Sequence, residues 1–498
     1  MLSIDDKRPA PPVPEPFNLS HHVLFANGAT DDKIAMAILS ASQVERWCYG
    51  RLRQAVMKTA GGLLASGLGP GDTVMMRLGN TPDFPVIFLA AIAAGIVPVP
   101  TSASLGTAEI TRIARLLRPA ALIAGQNVAL PEGHYKTVTP EALLTRPPLN
   151  QPEQTSADDL AYIVFTSGTS GSPLGVKHAH RAMWARGRMK EGWYGLRPDD
   201  RLIHAGAFNW TYTLGTGLLD PWSIGATALV LGNGTSLDLL PILARRHEAT
   251  IIAGAPGIFR KMLKQDIGSL PRLRHALSAG EKLPDTVRQE WCEKTGTYIY
   301  EAFGQSECST FISGSPARPA PAGTLGYTQP GRAVAVLGQD GPVPRGDIGQ
   351  IAIHASDHGL ALGYLNEEAS ACEEWVLTGD MGVMREDGAV EYHGRADDIL
   401  TAGGFRISPL EIETAMEACN GVEEAAAVDL QISPDTKIVA LYYTSRTPVA
   451  EDVLAKHAKM HLARYKRPRA FFFRETLPRG ANGKLLRREL RAGNEDAS

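Results

Sequence analysis

The chain has 498 residues, 44% of them hydrophobic and 21% charged, with a formal net charge of −3. This is ordinary globular composition, long enough for at least two domains. The near-neutral charge excludes a global electrostatic attraction to nucleic acid or to an anionic membrane, so any anion binding must be local. Five scattered cysteines (Cys48, Cys292, Cys308, Cys372, Cys419) without CxxC spacing fit neither a disulfide framework nor a zinc site and point to a reducing, cytoplasmic setting.

The proline-rich start, residues 1–17, reads as a flexible leading arm, since it has aspartates where a signal peptide would need a basic start and an apolar core. From about residue 42 a helical stretch runs to 67, followed by the turn LGPGD and the strand-like TVMMRL. The uncharged run 84–100 contains Pro85, Gly95 and Pro98 and falls short of the roughly 20 residues of a spanning helix. It reads as a buried helix (82–95) followed by a strand (96–99). A helix over TAEITRIARLLRP and a strand over AALIAG continue the alternation. Further strands are expected at 202–206, 228–232 and 250–253, and helices at 237–247 and 284–294. Such βα alternation argues for sheets covered by helices. TRPPLNQPEQTSADD and GSPARPAPAGTLG read as loops. Between about 324 and 394 the pattern changes to short, glycine-punctuated β segments, and the last 100 residues suffice for a small α+β domain.

Within this frame, the apolar run AYIVF feeds into Thr166, Ser167, Gly168, Thr169, Ser170 and Gly171. Glycines let backbone N–H groups turn inward and hydroxyls add donors, a combination that can surround a polyphosphate. No GK[ST] closes the loop, so it is not a Walker A motif. A flexible Ser/Gly linker is the competing reading of these residues alone.

The stretches that follow decide between the two: SAGEKLP (278–284), YEAFGQSE (300–307), LTGD (377–380), GRADDILTAGGFRISPLEIE (394–413) and RGANGK (479–484). This ordered series resembles the adenylate-forming superfamily of acyl-CoA synthetases, peptide-synthetase adenylation domains and luciferases, from roughly residue 40 to 490. YTLGTGLLDPWSIGATALVL (212–231) and SAGEKLPDTV are similar to segments of benzoate-type CoA ligases, while Trp210, DPW and GRADDI are similar to medium-chain acyl-CoA synthetases. The resemblance implies an α/β fold: a large N-terminal adenylation domain (1–396) of helix-covered sheets with a small β-barrel-like subdomain (324–394), then a mobile α+β C-terminal domain (397–498) hinged at Asp397.

It also implies an AMP-forming acid–CoA ligase. MgATP and an aromatic or short-to-medium-chain carboxylic acid give an acyl-adenylate, which passes its acyl group to coenzyme A. Two anions must be brought together, so cations and oriented donors are needed. By resemblance Glu307 holds Mg²⁺, a role a carboxylate suits when the nucleotide supplies the other oxygens. Ser306 stands where threonine is common, with its hydroxyl toward phosphate. Asp380 accepts from the ribose hydroxyls, and Gly280, Glu281, Glu301, Ala302, Phe303 and Gly304 enclose adenine. Arg395 contacts ribose or phosphate, Arg406 reaches the phosphates, and Lys484 bridges the acyl carboxylate and the α-phosphate. Asn209, Trp210, Thr213, Ala255 and Gly304 line the acyl pocket, and Gly403, Gly404 and Phe405 line the path of the pantetheine thiol. The family loop carries lysine where this chain has Leu174. Lys177, three positions on, should face the opposite way along an extended chain.

His178 and His180 form an H-x-H pair that could face one side of a strand, without a third ligand in evidence. Cys308 reads as structural. The basic runs RYKRPR and RRELR could meet CoA phosphates or simply form a solvated face. The expected partners are a small carboxylic acid, ATP and CoA, with no nucleic acid and no membrane insertion, in a monomer or homodimer. Two alternatives stay open: a carrier-protein phosphopantetheine acceptor in place of CoA, or a degenerate member that binds nucleotide or acyl ligand without turnover, for which Leu174 is the motivating feature.

Overall fold

In the computed structural model the described residues are 1–144, 146–167, 173–367, 373–396, 398, 400–402, 405–433, 436–480 and 485–492. They pack as two compact units, one of residues 6–333 and 354–374, the other of residues 1–5, 334–353 and 375–498.

The first unit contains a nine-stranded sheet. Its order is Tyr327–Thr328, Ser309–Ser313, Ile299–Gln305, His275–Ala279, Ile251–Gly254, Arg201–His204, Thr227–Leu231, Ile34–Leu39 and Val44–Cys48. The six strands from Ile299–Gln305 to Ile34–Leu39 run parallel. Three of them, Thr227–Leu231, Ile251–Gly254 and His275–Ala279, are buried at every residue, as parallel strands covered on both faces are. A four-stranded sheet, all parallel, takes the strands predicted at TVMMRL, 96–99 and AALIAG, with Thr137–Val138 at its edge. The helix Asp83–Ala93 is buried in every residue except Asp83, which explains why it carries no polar face. Helix Tyr49–Ala65 packs beside it and carries Gly61 and Gly62, where an added Cβ would fall 2.0 Å from the Pro147 carbonyl and 2.2 Å from that of Leu143.

Two expectations are corrected. The helix expected from residue 42 begins only at Tyr49. Val44–Cys48 is instead an antiparallel edge strand on Ile34–Leu39, whose outer backbone groups need a partner. Nor is the leading arm loose. Ile4–Asp6 is a strand, the Ser3 N–H donates to the Val343 carbonyl at 2.8 Å, and the Ser3 carbonyl accepts from the Val336 N–H at 2.9 Å. Further on, Phe17 is buried and its N–H donates to the Thr155 carbonyl at 2.9 Å.

The second unit holds a mainly antiparallel sheet with Ala333–Gly338, Ile348–His354, Trp375–Met384 and Val390–Arg395 in adjacent positions. It also holds the α+β tail, in which Glu424–Ser433, Thr436–Thr444 and Ala470–Phe473 form a sheet. Helices Pro409–Glu417 and Glu451–His461 cover that sheet around Ile412, Met416, Leu441 and Leu454. The β segments 334–353 and 375–395 thus cluster with the tail. Among the described residues no helix is long and apolar enough to cross a membrane.

Candidate active site

Four neighbouring parallel strands of the nine-stranded sheet deliver the predicted ligand residues to one edge. Asn209 and Trp210 follow Arg201–His204, Ala255 follows Ile251–Gly254, Gly280 and Glu281 follow His275–Ala279, and Ala302, Phe303 and Gly304 lie in the last part of Ile299–Gln305. The carboxyl ends of parallel strands are where open α/β sheets bind ligands, because the connecting loops leave a crevice there.

At this edge Gly280 has φ +98°, and a Cβ on it would meet the Trp210 ring at 2.8 Å. The Trp210 ring stands at 90° to that of Tyr212, centroids 5.2 Å apart, and the Tyr212 hydroxyl donates to the Leu277 carbonyl at 3.0 Å. The benzo part of the indole therefore lies against the SAGE turn at Gly280. The Glu301 carboxylate faces inward, accepting from the Leu283 N–H at 2.7 Å and from Arg288 Nη2 at 2.8 Å. Burial raises its pKa and Arg288 opposes the rise. Its carboxylate is committed to holding the 283–288 segment.

Gly304 sits at a register shift where an added Cβ would fall 2.0 Å from the Ser309 carbonyl oxygen, so only glycine fits. The turn carrying Ser306 and Glu307 ends at Ser309, a non-glycine residue at φ +63°. Glu307 Oε1 accepts from the Tyr364 hydroxyl at 3.0 Å, and its carbonyl accepts from the Ala361 N–H at 2.7 Å. The segment 361–365 also lies along the strand Pro173–Ala179, with Lys177 N–H to Gly363 O at 3.0 Å and Leu365 N–H to Gly175 O at 2.7 Å. The acid and the strand leaving the Gly/Ser loop are thus fixed to the same stretch of chain. Carboxylate and hydroxyl oxygens such as those of Glu307 and Ser306 are the hard donors that suit Mg²⁺.

Within that hairpin the register Thr166↔Leu174 to Ile163↔Lys177 is unbroken, which puts Leu174 and Lys177 on opposite faces. Gly168, Thr169, Ser170 and Gly171 lie outside the described residues, as does the side chain of Ser167.

In the second unit, Asp380 and Arg395 are register partners. The buried Asp380 carboxylate accepts from the Tyr392 hydroxyl at 3.1 Å and lies 3.5 Å from Arg395 Nη1, which also donates to the Thr378 carbonyl at 3.2 Å. Burial, and then the neighbouring Asp380, push the Tyr392 phenol well above its usual pKa, so it stays a donor. Arg406 lies in the short strand Phe405–Ile407, and the side chains of Phe405 and Arg406 are outside the description. Asp397, Gly403, Gly404 and Lys484 also lie outside the described residues.

The histidine pair serves packing. His178 stacks on Tyr162 with centroids 4.6 Å apart, and burial, with Arg186, lowers its pKa to about 3. His180 starts the next helix rather than sharing the strand, and its Nδ1 accepts from the Leu19 N–H at 3.1 Å. Among the described residues no group of three His, Cys, Asp or Glu could hold a metal. Cys308 is buried and burial raises its pKa, the opposite of an activated thiol.

Sequence reasoning missed two supports of the site. One is Tyr364, for which the sequence carries no signal. The other is the buried pair of Arg186 and Asp220, in which Nε–Oδ1 is 2.9 Å and Nη2–Oδ2 is 2.6 Å. Arg186 also contacts the Ser309 hydroxyl, two residues beyond Glu307. An acid inside the apolar run LLDPW was the available clue.

The description "AMP-binding enzyme" matches residues 25–365, and "AMP-binding enzyme C-terminal domain" matches 411–484. A 4-hydroxybenzoate–CoA/benzoate–CoA ligase of Rhodopseudomonas palustris is 30% identical over 487 residues, covering 90% of each chain. The mitochondrial acyl-coenzyme A synthetase ACSM2 of Rattus norvegicus is 29% identical, covering 90% of this chain and 85% of its own. The crystal structure of an anthranilate–CoA ligase in complex with anthranoyl-AMP superposes with a TM-score of 0.87 at 24% identity, covering 97% of this chain and 98% of that one.

Proposed function

The chain belongs to the AMP-binding enzyme family as an AMP-forming acid–CoA ligase, and from that premise we propose that its acid is a monocarboxylate with an aromatic or short-to-medium aliphatic body. The observation that carries this reading is the Trp210 ring lying against Gly280 at the carboxyl edge of the parallel sheet. A flat apolar wall there borders the backbone assigned to the nucleotide. An aromatic acid fits such a wall best, and the R. palustris relative is named for two such acids.

In the first step an oxygen of the acid attacks the α-phosphorus of ATP and pyrophosphate leaves. In the second the CoA thiolate attacks the acyl carbon and AMP leaves. Asp380 holds the ribose, and Arg395, already paired to it, orients that carboxylate. Gly280, Glu281, Ala302 and Phe303 enclose the base through their backbones. Glu307 and Ser306 would hold Mg²⁺, which when bound neutralises phosphate charge. Arg406 and Lys484 supply positive charge, with Asp397 as hinge and Gly403, Gly404 and Phe405 beside the thiol.

The test is a panel of acids from acetate through octanoate and the substituted benzoates, scored for CoA-dependent AMP release. The expected result is highest kcat/KM on benzoates or medium-chain acids; turnover of acetate alone would overturn the acid assignment.

Leu174 leaves this loop short of a cation, and Lys177 faces the other way. Leu174→Lys is therefore expected to lower the apparent KM for ATP about tenfold, the value of one charge-assisted contact, while changing kcat less. A larger effect on kcat would place the loop in the transition state instead.

A further inference from the structure

Glu307 lies in the turn after Ile299–Gln305, and Tyr364 stands 57 positions further along the chain. Both residues are half-buried, within reach of solvent. The Tyr364 hydroxyl donates to Glu307 Oε1 at 3.0 Å, and no other hydrogen bond from the described residues meets this carboxylate. A phenol has one proton to give, whereas a carboxylate has about four lone-pair sites. The contact therefore occupies Oε1 and leaves Oε2 open to a cation.

Tyr364 can act this way because its backbone is fixed as well as its hydroxyl. It forms an antiparallel bridge with Val176, in the strand that leaves the Gly/Ser loop. On one side of it the Leu362 N–H donates to the Lys177 carbonyl at 2.8 Å, and on the other the Leu365 N–H donates to the Gly175 carbonyl at 2.7 Å. A Cβ added at Gly175 would fall 3.0 Å from Leu365 Cβ, so glycine lets the two segments lie this close. The Ala361 N–H in turn donates to the Glu307 carbonyl at 2.7 Å. A loose glutamate side chain rotates about several bonds and loses that freedom when it binds an ion. Here folding has already restricted it, and Mg²⁺, which tolerates little departure from octahedral geometry, gains most from a carboxylate held in advance.

We propose that Tyr364 is a positioning residue for the metal carboxylate: its hydroxyl fixes the orientation in which Glu307 joins the nucleotide phosphates around Mg²⁺. The inference rests on the reading above that Glu307 holds the ion, and adds what keeps Glu307 ready for it. Hydrogen-bond partners of metal-binding carboxylates typically govern metal affinity by about 10–100-fold.

The test uses the full-length protein, a non-hydrolysable ATP analogue and Mn²⁺ as the probe, since Mn²⁺ takes the same oxygen ligands as Mg²⁺. Electron paramagnetic resonance separates bound from free Mn²⁺. Tyr364→Phe, which removes only the hydroxyl, is expected to weaken Mn²⁺ binding to the protein–nucleotide complex by about tenfold or more. AMP binding, measured by calorimetry in EDTA, is expected to stay unchanged. Glu307→Ala should weaken Mn²⁺ binding at least as much, and adding Tyr364→Phe to it should have no further effect, because the hydroxyl then has no carboxylate to hold. Equal loss of Mn²⁺ and AMP binding in Tyr364→Phe would mean a packing defect and overturns the proposal, as does a hydroxyl effect that persists beside Glu307→Ala. Unchanged Mn²⁺ affinity in Tyr364→Phe, with a loss in Glu307→Ala, overturns this proposal alone. Unchanged affinity in both variants removes Glu307 from the metal and takes the proposal with it.

Discussion

Lys484→Ala is expected to reduce acyl-adenylate formation by on the order of 10²–10³-fold or more, the cost of removing one preorganised charge from a developing anion. Transfer to CoA from supplied acyl-adenylate should stay largely intact. In the first half-reaction a carboxylate approaches a phosphate, and the repulsion is greatest as the new bond forms; an ammonium between the two lowers that barrier and acts little on the ground state. The first residue of RGANGK and the residues that follow the motif are anchored. Arg479 and Leu485 form an antiparallel bridge, and Arg487 grips the Glu413 carboxylate at 2.8 and 2.9 Å and Asp398 at 3.1 Å. In the second half-reaction AMP is the leaving group and the attacking thiolate comes from CoA, so a different set of contacts is in play. Pyrophosphate release in the absence of CoA reads the first step, and thioester formation from synthetic adenylate reads the second. Unchanged pyrophosphate release in the variant would remove Lys484 from its assigned role.

The second large effect is on stability. Arg186→Met should cost about 3–5 kcal/mol, because it leaves the Asp220 carboxylate buried and unpaired. Asp220 is 3% exposed at its side chain, and the other hydrogen bond to its carboxylate among the described residues comes from the Tyr194 hydroxyl at 2.6 Å. Burial disfavours the Arg186 charge, yet the adjacent Asp220 more than offsets this and holds its pKa above the ordinary value. The same substitution frees Ser309 and loosens the turn bearing Glu307, so activity should fall at temperatures where the variant is still folded. Replacing both partners, as Arg186→Met with Asp220→Leu, should recover much of the stability, since two apolar side chains leave no buried charge. Chemical denaturation midpoints of the two variants check this. A double variant no more stable than Arg186→Met would mean that the pair acts through something other than charge compensation.

The motifs from which the site is proposed are legible in the chain because they depend on residue type at short spacing. The Gly/Ser loop, Glu307 in FGQSE, Asp380 in TGD and the paired arginines are each recognisable within a few residues of their neighbours. The helix Asp83–Ala93 was legible for a related reason: an uninterrupted apolar run has no solvent face to present and must be buried. The strand Val44–Cys48 was not, since an edge strand is decided by the exposed backbone of Ile34–Leu39 rather than by its own sequence. The leading arm was misjudged on the same ground, because the prolines that make it look loose say nothing about the backbone groups waiting at residues 336 and 343.

The sequence by itself determined the family and the reaction, because local motifs encode the chemistry that a phosphate and a carboxylate demand. Only the tertiary structure decided which groups hold those motifs in place and which stay unpaired. Tyr364 reaches Glu307 across 57 residues, and Arg186 reaches Asp220 across 34. Among the described residues the buried His204 Nε2 has no hydrogen-bond partner. The physical reason is that pairing and desolvation are properties of a packed neighbourhood, assembled from segments whose separation along the chain leaves no trace in either one.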